Sequence, residues 1–244
     1  MKNSKNVAII VAAGSGQRMK TNMPKQFLEL DNRPILWYTI RPFIQCKDIE
    51  QIYIVVPQVF KNKCENEIIM PLSQELKLDD SCTPHIKCFS GGERRQDSVY
   101  TGIQAIEDGS DIVVIHDGVR PFVTSNQISQ IIDCARVKKA VIFGIKPRDT
   151  IKKVDHINCI KQSIDREHLL MAQTPQAFSY ALIKQAHEMA RKENLSATDD
   201  AMLVEYLGEK VYVEPGHPLN IKITTPEDLL FSRTILTVWP PDTQ

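Results

Sequence analysis

The sequence predicts an α/β fold, a Rossmann-like, mostly parallel sheet with helices on both faces. Three observations predict it. Apolar runs of strand length recur at 7–11, 52–56, 112–115 and 141–145. Amphipathic stretches at 35–44, 98–106 and 128–135 lie between them. The strand runs are continuously apolar rather than alternating, which marks strands covered on both faces by crossover helices. The 244 residues, 42% hydrophobic and 25% charged, suit one large α/β unit that fills its core without staples. The whole chain, 1–244, reads as a single domain with one excursion.

The elements follow in order. Lys2 and Lys5 precede the first apolar run, as in a secretion signal. That run stops at Ala12 and Ala13 and passes straight into Gly-Ser-Gly. It is too short for a leader core, and no run approaches the roughly 20 residues of a membrane span. It reads as a first buried strand, and the chain is expected in the cytoplasm, with no membrane contact. The alternation breaks at 146–164, which begins "KPRDTIKKVDHINCIKQS". Two short polar stretches, 150–154 and 158–164, flank the turn-like Asp155-His156 and predict a β-hairpin arm. A polar two-stranded arm is marginal alone. Either it is a loose surface hairpin or it leans on a second copy of the chain; the second reading is preferred. Beyond it, 180–192 and 197–207 read as helices, and 210–213 and 220–223 as strands. Thr225-Pro226-Glu227-Asp228 is a helix start: a capping hydroxyl, a proline fit for the first turn, and acids at the positive dipole end. The helix continues through 229–236, and the tail "WPPDTQ" is expected to fray.

Charge and cysteine usage narrow the function. Lys plus Arg and Asp plus Glu each number 30, so no global field attracts nucleic acid, and an anion site must come from local placement. Cys46, Cys64, Cys82, Cys88, Cys134 and Cys159 form no C-x-x-C pair and no zinc-like cluster. They read as free thiols in a reducing compartment.

The candidate chemistry starts where the first strand ends, in "VAAGSGQRMKTNMPKQ". In open α/β sheets ligands sit beyond the carboxyl ends of the strands. Gly14 and Gly16 let backbone N–H groups approach an anion, Arg18 offers a forked donor, and Lys25 offers a compact positive charge. The pattern describes a polyphosphate cradle; the alternative is a solvated βα turn. Met19 replaces the third glycine of a dinucleotide fingerprint, and no G-x-x-x-x-G-K-[ST] is present, which counts against nicotinamide enzymes and P-loop NTPases. In "FSGGERRQDSV", Gly91 and Gly92 can lie against a planar base and Ser98 can donate to its edge, whereas Arg94 and Arg95 read as solvated. Asp117, closing "VVIHD", is placed for a ribose hydroxyl or a metal, or else forms a turn before Gly118. Arg120 contacts a ligand or ties loops together. Lys222 in "NIKIT" is a solvent-facing strand residue or a phosphate ligand, with Ile221 and Ile223 on the opposite face.

Taken in order, "AAGSGQRM...MPKQF", "GGERRQDSV", "HDGVRPF", "PRDTIK", "DREHLLMAQTPQAF", "TDDA" and "NIKITTPEDL" resemble the 2-C-methyl-D-erythritol 4-phosphate cytidylyltransferase family, over nearly the whole chain. The resemblance implies an enzyme that joins CTP to methylerythritol phosphate and releases pyrophosphate, with Mg²⁺ carried mainly on the CTP phosphates. It implies catalytic roles for Arg18, Lys25, Arg166 and Lys222. It places Ala12, Ala13, Gly14, Gly16, Gly92, Glu93, Ser98, Asp117 and Gly118 around the nucleotide, with Glu93 where the family commonly carries aspartate. It places Asp117, Arg120, Thr150, Arg166, Thr174, Thr198 and Lys222 around the acceptor, Thr150 and Arg166 reaching a partner's site across a homodimer. Asp165 would orient Arg166, and Thr198 has a second reading as a helix N-cap. A ribitol 5-phosphate cytidylyltransferase is the near alternative. It is disfavoured by "AAG" where that group has "AGG", and by "DREHLLMA" before "QTPQ". A non-catalytic nucleotide-binding regulator is the distant one.

Overall fold

The computed structural model describes residues 5–14, 19, 23–78, 84–107 and 109–239. In chain order the elements are β1 (Lys5–Val11), β2 (Glu29–Leu30), β3 (Arg33–Pro34), α1 (Ile35–Gln45), β4 (Gln51–Val56), α2 (Lys61–Cys64), α3 (Met70–Glu75), β5 (His85–Ser90), α4 (Arg95–Gln104), β6 (Ser110–Asp117), α5 (Ser125–Lys138), β7 (Ala140–Ile145), β8 (Ile151–Val154), β9 (Ile160–Ile164), β10 (Met171–Ser179), α6 (Tyr180–Lys192), α7 (Asp200–Tyr206), β11 (Tyr212–Pro215) and α8 (Pro226–Val238). Seven strands form one sheet in the order β11-β7-β10-β6-β1-β4-β5. All neighbours are parallel except β10, which runs antiparallel between β6 and β7.

The continuous apolar strands do what the pattern requires. Ala8, Ile10 and Ala12 join one core cluster with α1 and α5, whereas Val7, Ile9 and Val11 join another with α4, α6 and α7. A third, smaller cluster packs Ile35, Phe122, Ile223 and Ile235 under α8. The chain leaves β1 toward β4 on one side and later adds β6 on the other. The sheet therefore reverses direction of growth between β1 and β6, where Val11 lies opposite Asp117. Such a switch opens a crevice at the strand ends.

Four expectations need correction. Residues 220–223 form no strand and join no ladder; the Ile223 N–H donates to the Val119 carbonyl at 2.9 Å, a tether rather than strand pairing. The last strand is Tyr212–Pro215, displaced from 210–213 because its register follows Val141–Gly144 of β7. The helix expected at 197–207 begins only at Asp200, capped by the Asp199 carboxylate, which accepts the Met202 N–H at 3.1 Å; Thr198 is not the cap. Trp239 does not fray: its ring packs edge-on against Phe122 and His217. Residues 240–244 of the tail lie outside the described residues. The start of α8 forms as the sequence demands: Thr225 and Asp228 make a reciprocal capping box with Pro226 in the first turn. The arm also forms, as the hairpin β8–β9 turning through 155–159, where Asp155 accepts the Ile157 and Cys159 N–H groups.

Candidate active site

Two cavities meet at the β1/β6 crevice. The first, about 170 Å³, is walled by the loop after β1 (Ala12 to Gly14), by Lys25 and Gln26, and by the loop into α4 (Gly92 to Arg95). The second, about 200 Å³, is walled by Arg120, Thr174, Gln176, Thr198 and Asp199. Arg95, Asp117 and Lys222 line both.

The first cavity is shaped by small residues and one buried amide. Gln26 is buried, and its side-chain amide donates to the Ala12 carbonyl and, at 3.2 Å, to the Gly14 carbonyl. A Cβ on Gly91 would overlap Ala13 Cβ and Ser98 Oγ, so glycine lets the two loops meet. Among the described residues, nothing lies within 4 Å of a Cβ built on Gly14. Ser98 is fully buried; its Oγ accepts the Gly92 N–H at 3.2 Å and donates to the Arg94 carbonyl at 3.1 Å. Its proton thus serves the loop and is not held out toward a base edge. Gly118 packs so closely on Ala12 that a Cβ there would sit 2.7 Å from Ala12 Cβ.

The shared wall is a buried ionic cluster. Asp117 is 6% exposed. Lys222 Nζ lies 2.8 Å from its Oδ2 and Arg95 Nε 2.9 Å from its Oδ1, with Arg120 Nε at 3.6 Å. Burial pushes the Asp117 carboxyl up, but Arg95, Lys222 and Arg120 outweigh burial and hold it well below the usual carboxylate range. Arg95 also donates from Nη1 to Asp200 Oδ2 at 2.7 Å, and the fully buried His187 lies 3.0 Å from the other oxygen. Burial raises the Asp200 pKa, and the Arg95 charge with the His187 hydrogen bond more than reverses it. Solvation of Arg95 is therefore corrected: its guanidinium clamps two buried carboxylates from β6 and α7. Arg94 is exposed and pairs with Asp97 one turn on, as a solvated residue does.

Arg120 resolves toward tying loops. It is 11% exposed at the side chain and donates from Nη1 to the Asn220 carbonyl at 2.7 Å. Asn220 donates to the Thr174 carbonyl at 2.9 Å, and Gln173 donates to the His217 and Asn220 carbonyls. This lattice carries Lys222 to Asp117 although residues 220–223 form no strand. Thr198 is exposed at the rim of the second cavity. Glu93 lines the first cavity.

Not every expected residue is brought together. Arg18 and Gly16 lie outside the described residues. Thr150 and Arg166 line neither cavity of their own chain. Arg166 donates to the Arg148 carbonyl, while Asp165 accepts the Glu167 N–H at 3.0 Å; Asp165 thus caps its own turn instead of orienting Arg166. Among the described residues no group of three or more His, Cys, Asp or Glu side chains is arranged to hold a metal ion, and the five described cysteines are free thiols. No helix among them is long and apolar enough to cross a membrane. A larger concavity, about 710 Å³, lies elsewhere, between the arm's root and β11, with apolar walls including Pro147, Leu170, Met171, Val213 and Pro218. Lys146 and Arg148 line it beside Asp149 and Glu214, but it holds no buried carboxylate clamped by cations from separate segments as Asp117 is, so the chemistry is assigned to the crevice.

Sequence reasoning missed Gln26, Arg95, Asn220 and Asp200. Each sits inside a quoted motif; the partners of Arg95, Asn220 and Asp200 are distant in sequence, whereas Gln26 reaches back within its own motif to Ala12 and Gly14.

A polyphosphate-sized crevice at the switch point of a Rossmann-like sheet, rimmed by cations from separate segments and backed by one buried aspartate, defines a nucleotidyltransferase. The 2-C-methyl-D-erythritol 4-phosphate cytidylyltransferase family model matches residues 6–238. A Clostridium botulinum (strain Eklund 17B / Type B) protein named 2-C-methyl-D-erythritol 4-phosphate cytidylyltransferase is 44% identical over 94% of this chain and 98% of its own. The crystal structure of 4-diphosphocytidyl-2C-methyl-D-erythritol synthase from Anaerococcus prevotii superposes with a TM-score of 0.81 at 32% identity, over 96% of this chain and 97% of that one. A Francisella tularensis 2-C-methyl-D-erythritol 4-phosphate cytidylyltransferase structure gives 0.76 at 28%, over 95% and 99%. The chain belongs to the 2-C-methyl-D-erythritol 4-phosphate cytidylyltransferase family.

Proposed function

We propose that this chain, as one catalytic domain, transfers the cytidylyl group of CTP to 2-C-methyl-D-erythritol 4-phosphate. The products are 4-diphosphocytidyl-2-C-methyl-D-erythritol and pyrophosphate, in the non-mevalonate route to isoprenoids. The observation that carries the reading is the wall shared by the two cavities, where Asp117, Lys222 and Arg95 stand between a nucleotide side and an acceptor side.

An oxygen of the acceptor phosphate attacks the α-phosphorus in line. The new P–O bond forms as the bond to the bridging oxygen of the β-phosphate breaks, and pyrophosphate leaves with that electron pair. The attacking phosphate is already an anion, so no general base is needed. Repulsion between two polyanions is the main barrier, and positioned charge lowers it. Lys25 lies on the triphosphate side, and Arg18 is assigned there by the family pattern. Lys222 is held by Asp117 at the boundary, ready to meet the phosphates of both substrates. Ala12, Ala13, Gly14 and Gly16, with Gly92, Glu93, Ser98 and Gly118, surround the nucleotide; Thr174, Thr198 and Arg120 border the acceptor.

Mg²⁺ fits as an ion brought in on the triphosphate, because Asp117 is already faced by three cations and, among the described residues, no carboxylate cage stands beside it. When bound, it neutralises phosphate charge. The enzyme acts as a homodimer in the cytoplasm. The support for the dimer is the arm, whose Val154, Ile157 and Ile160 are exposed, and whose Thr150 and Arg166 line no cavity of their own chain. Pyrophosphate release tests the reading. CTP with methylerythritol phosphate should support turnover, and ribitol 5-phosphate or another nucleoside triphosphate should not. Turnover with ribitol 5-phosphate alone would transfer the assignment to that acceptor.

A further inference from the structure

His116 stands one residue before Asp117 with its ring fully buried, tilted against the Phe43 ring at 5.1 Å between centroids. Its Nε2 is 3.0 Å from the Arg120 carbonyl, and its Nδ1 is 3.0 Å from Thr174 Oγ1. Thr174 Oγ1 also accepts the Asp117 backbone N–H at 3.1 Å. A carbonyl can only accept, so Nε2 carries the proton. Burial, the first of the influences on this ring, disfavours the imidazolium and takes the pKa down to about 4. A neutral ring leaves Nδ1 as an acceptor, and the Thr174 hydroxyl must donate to it. The chain of donors then has one solution: Asp117 N–H to Thr174, Thr174 O–H to His116, and His116 Nε2–H to Arg120.

We propose that His116 is a positioning residue for the acceptor side of the site, and that Thr174 meets the acceptor only as a hydrogen-bond acceptor. The inference rests on the cytidylyltransferase reading and deepens it. The imidazole fastens together three pieces of backbone: the end of β6 that bears Asp117, the turn that bears Arg120, and β10. Arg120 in turn grips the Asn220 carbonyl, two residues before Lys222. With its proton committed to His116, the Thr174 hydroxyl has none to offer a phosphate. Its remaining lone pair takes a hydroxyl proton. Thr174 therefore reads the polyol part of the acceptor rather than its phosphate.

The test uses four variants of the full-length enzyme and one spectrum. His116→Gln keeps a donor near the Arg120 carbonyl but loses Thr174; His116→Asn does the reverse. Thr174→Ser keeps the hydroxyl and Thr174→Val removes it. Losing one such bond should raise the KM for methylerythritol phosphate about tenfold in His116→Gln, His116→Asn and Thr174→Val, with the KM for CTP little changed and the rise in Thr174→Ser smaller than in Thr174→Val. Equal changes in both KM values, or none, would overturn the proposal. The second readout is independent of activity: nitrogen-15 spectra of the histidine rings, with His116 assigned through its own backbone resonances. The Nε2–H neutral form is expected near pH 7; a proton on Nδ1, in either the neutral or the charged ring, would overturn the proposal even if every variant failed to fold. A wild-type enzyme inactive with CTP and methylerythritol phosphate would instead sink the functional reading, leaving the tautomer to be judged by the spectrum alone.

Discussion

Lys25 and Arg95 show two different uses of positive charge at the residue scale. Lys25 lines the nucleotide cavity and follows the loop after β1. Its replacement by Ala should lower kcat by about 10²–10³, on the order of 3 kcal/mol, while the thermal transition stays near that of the wild type. A pyrophosphate assay alongside a melting curve checks both halves. Arg95 holds two carboxylates that are 6% and 1% exposed. Truncation to Met takes the guanidinium from Asp200 and leaves Asp117 only Lys222 and Arg120, and should cost about 3–5 kcal/mol of folding stability, read by chemical denaturation. The sequence made the first role readable and hid the second. A lysine in a small-residue loop after an apolar strand has few things to do, and its motif says so. An arginine beside another arginine at a helix start reads as solvated, because nothing local announces that Asp200, more than a hundred residues on, will meet it.

Elements were legible where burial is two-sided and continuous. β1, β4, β6 and β7 each appear as apolar runs, and the capping box of α8 is spelled out in Thr225, Pro226 and Asp228. β10 carries no such mark. Its sequence, "MAQTPQAFS", has a proline and several polar residues, yet it lies between β6 and β7. Pro175 is tolerated because the register with β7 shifts between Gln173 and Gln176, so no ladder N–H is required of it. The polar residues are retained for the site: Gln173 and Thr174 bind the 217–220 segment, and Gln176 donates to the Asp199 cap. The arm tests the dimer at this scale. Placing Asp at Ile157 and Ile160, which are 71% and 59% exposed, should leave the fold intact and shift the sedimenting species from about twice the 27.7 kDa chain mass to one chain. Activity should fall with it if Thr150 and Arg166 complete a partner's site.

Across the whole molecule, acid stability reports the buried ionic cluster. Asp117 and Asp200 have folded pKa values below their unfolded ones. The stability they contribute is present above the unfolded value, near 4, and is lost as pH falls through the folded values. His116 acts in the same direction over a higher window. Its folded pKa of about 4 lies below the ordinary histidine value of 6.5, so the unfolded chain gains the proton first, and stability drains away between pH 6.5 and 4. A shift of that size corresponds to about 3 kcal/mol. Denaturation midpoints of the wild type should therefore decline from pH 7 to pH 4, and His116→Gln should decline less. A flat profile in that window would remove the neutral buried ring from the description. The net charge of +0 gives no hint of any of this, because the cluster, three cations on two carboxylates, is assembled from β6 and the turn after it, α4, α7 and the 217–222 segment.

The central claim is that cations gathered from distant segments let two repelling phosphorylated substrates meet at the wall shared by the two cavities. It is tested most directly by steady-state pyrophosphate release from CTP and 2-C-methyl-D-erythritol 4-phosphate by Lys222→Ala, measured beside the wild type. The predicted result is an active wild type and a folded variant slower by about 10²–10³. A folded Lys222→Ala enzyme that released pyrophosphate at the wild-type rate would contradict it.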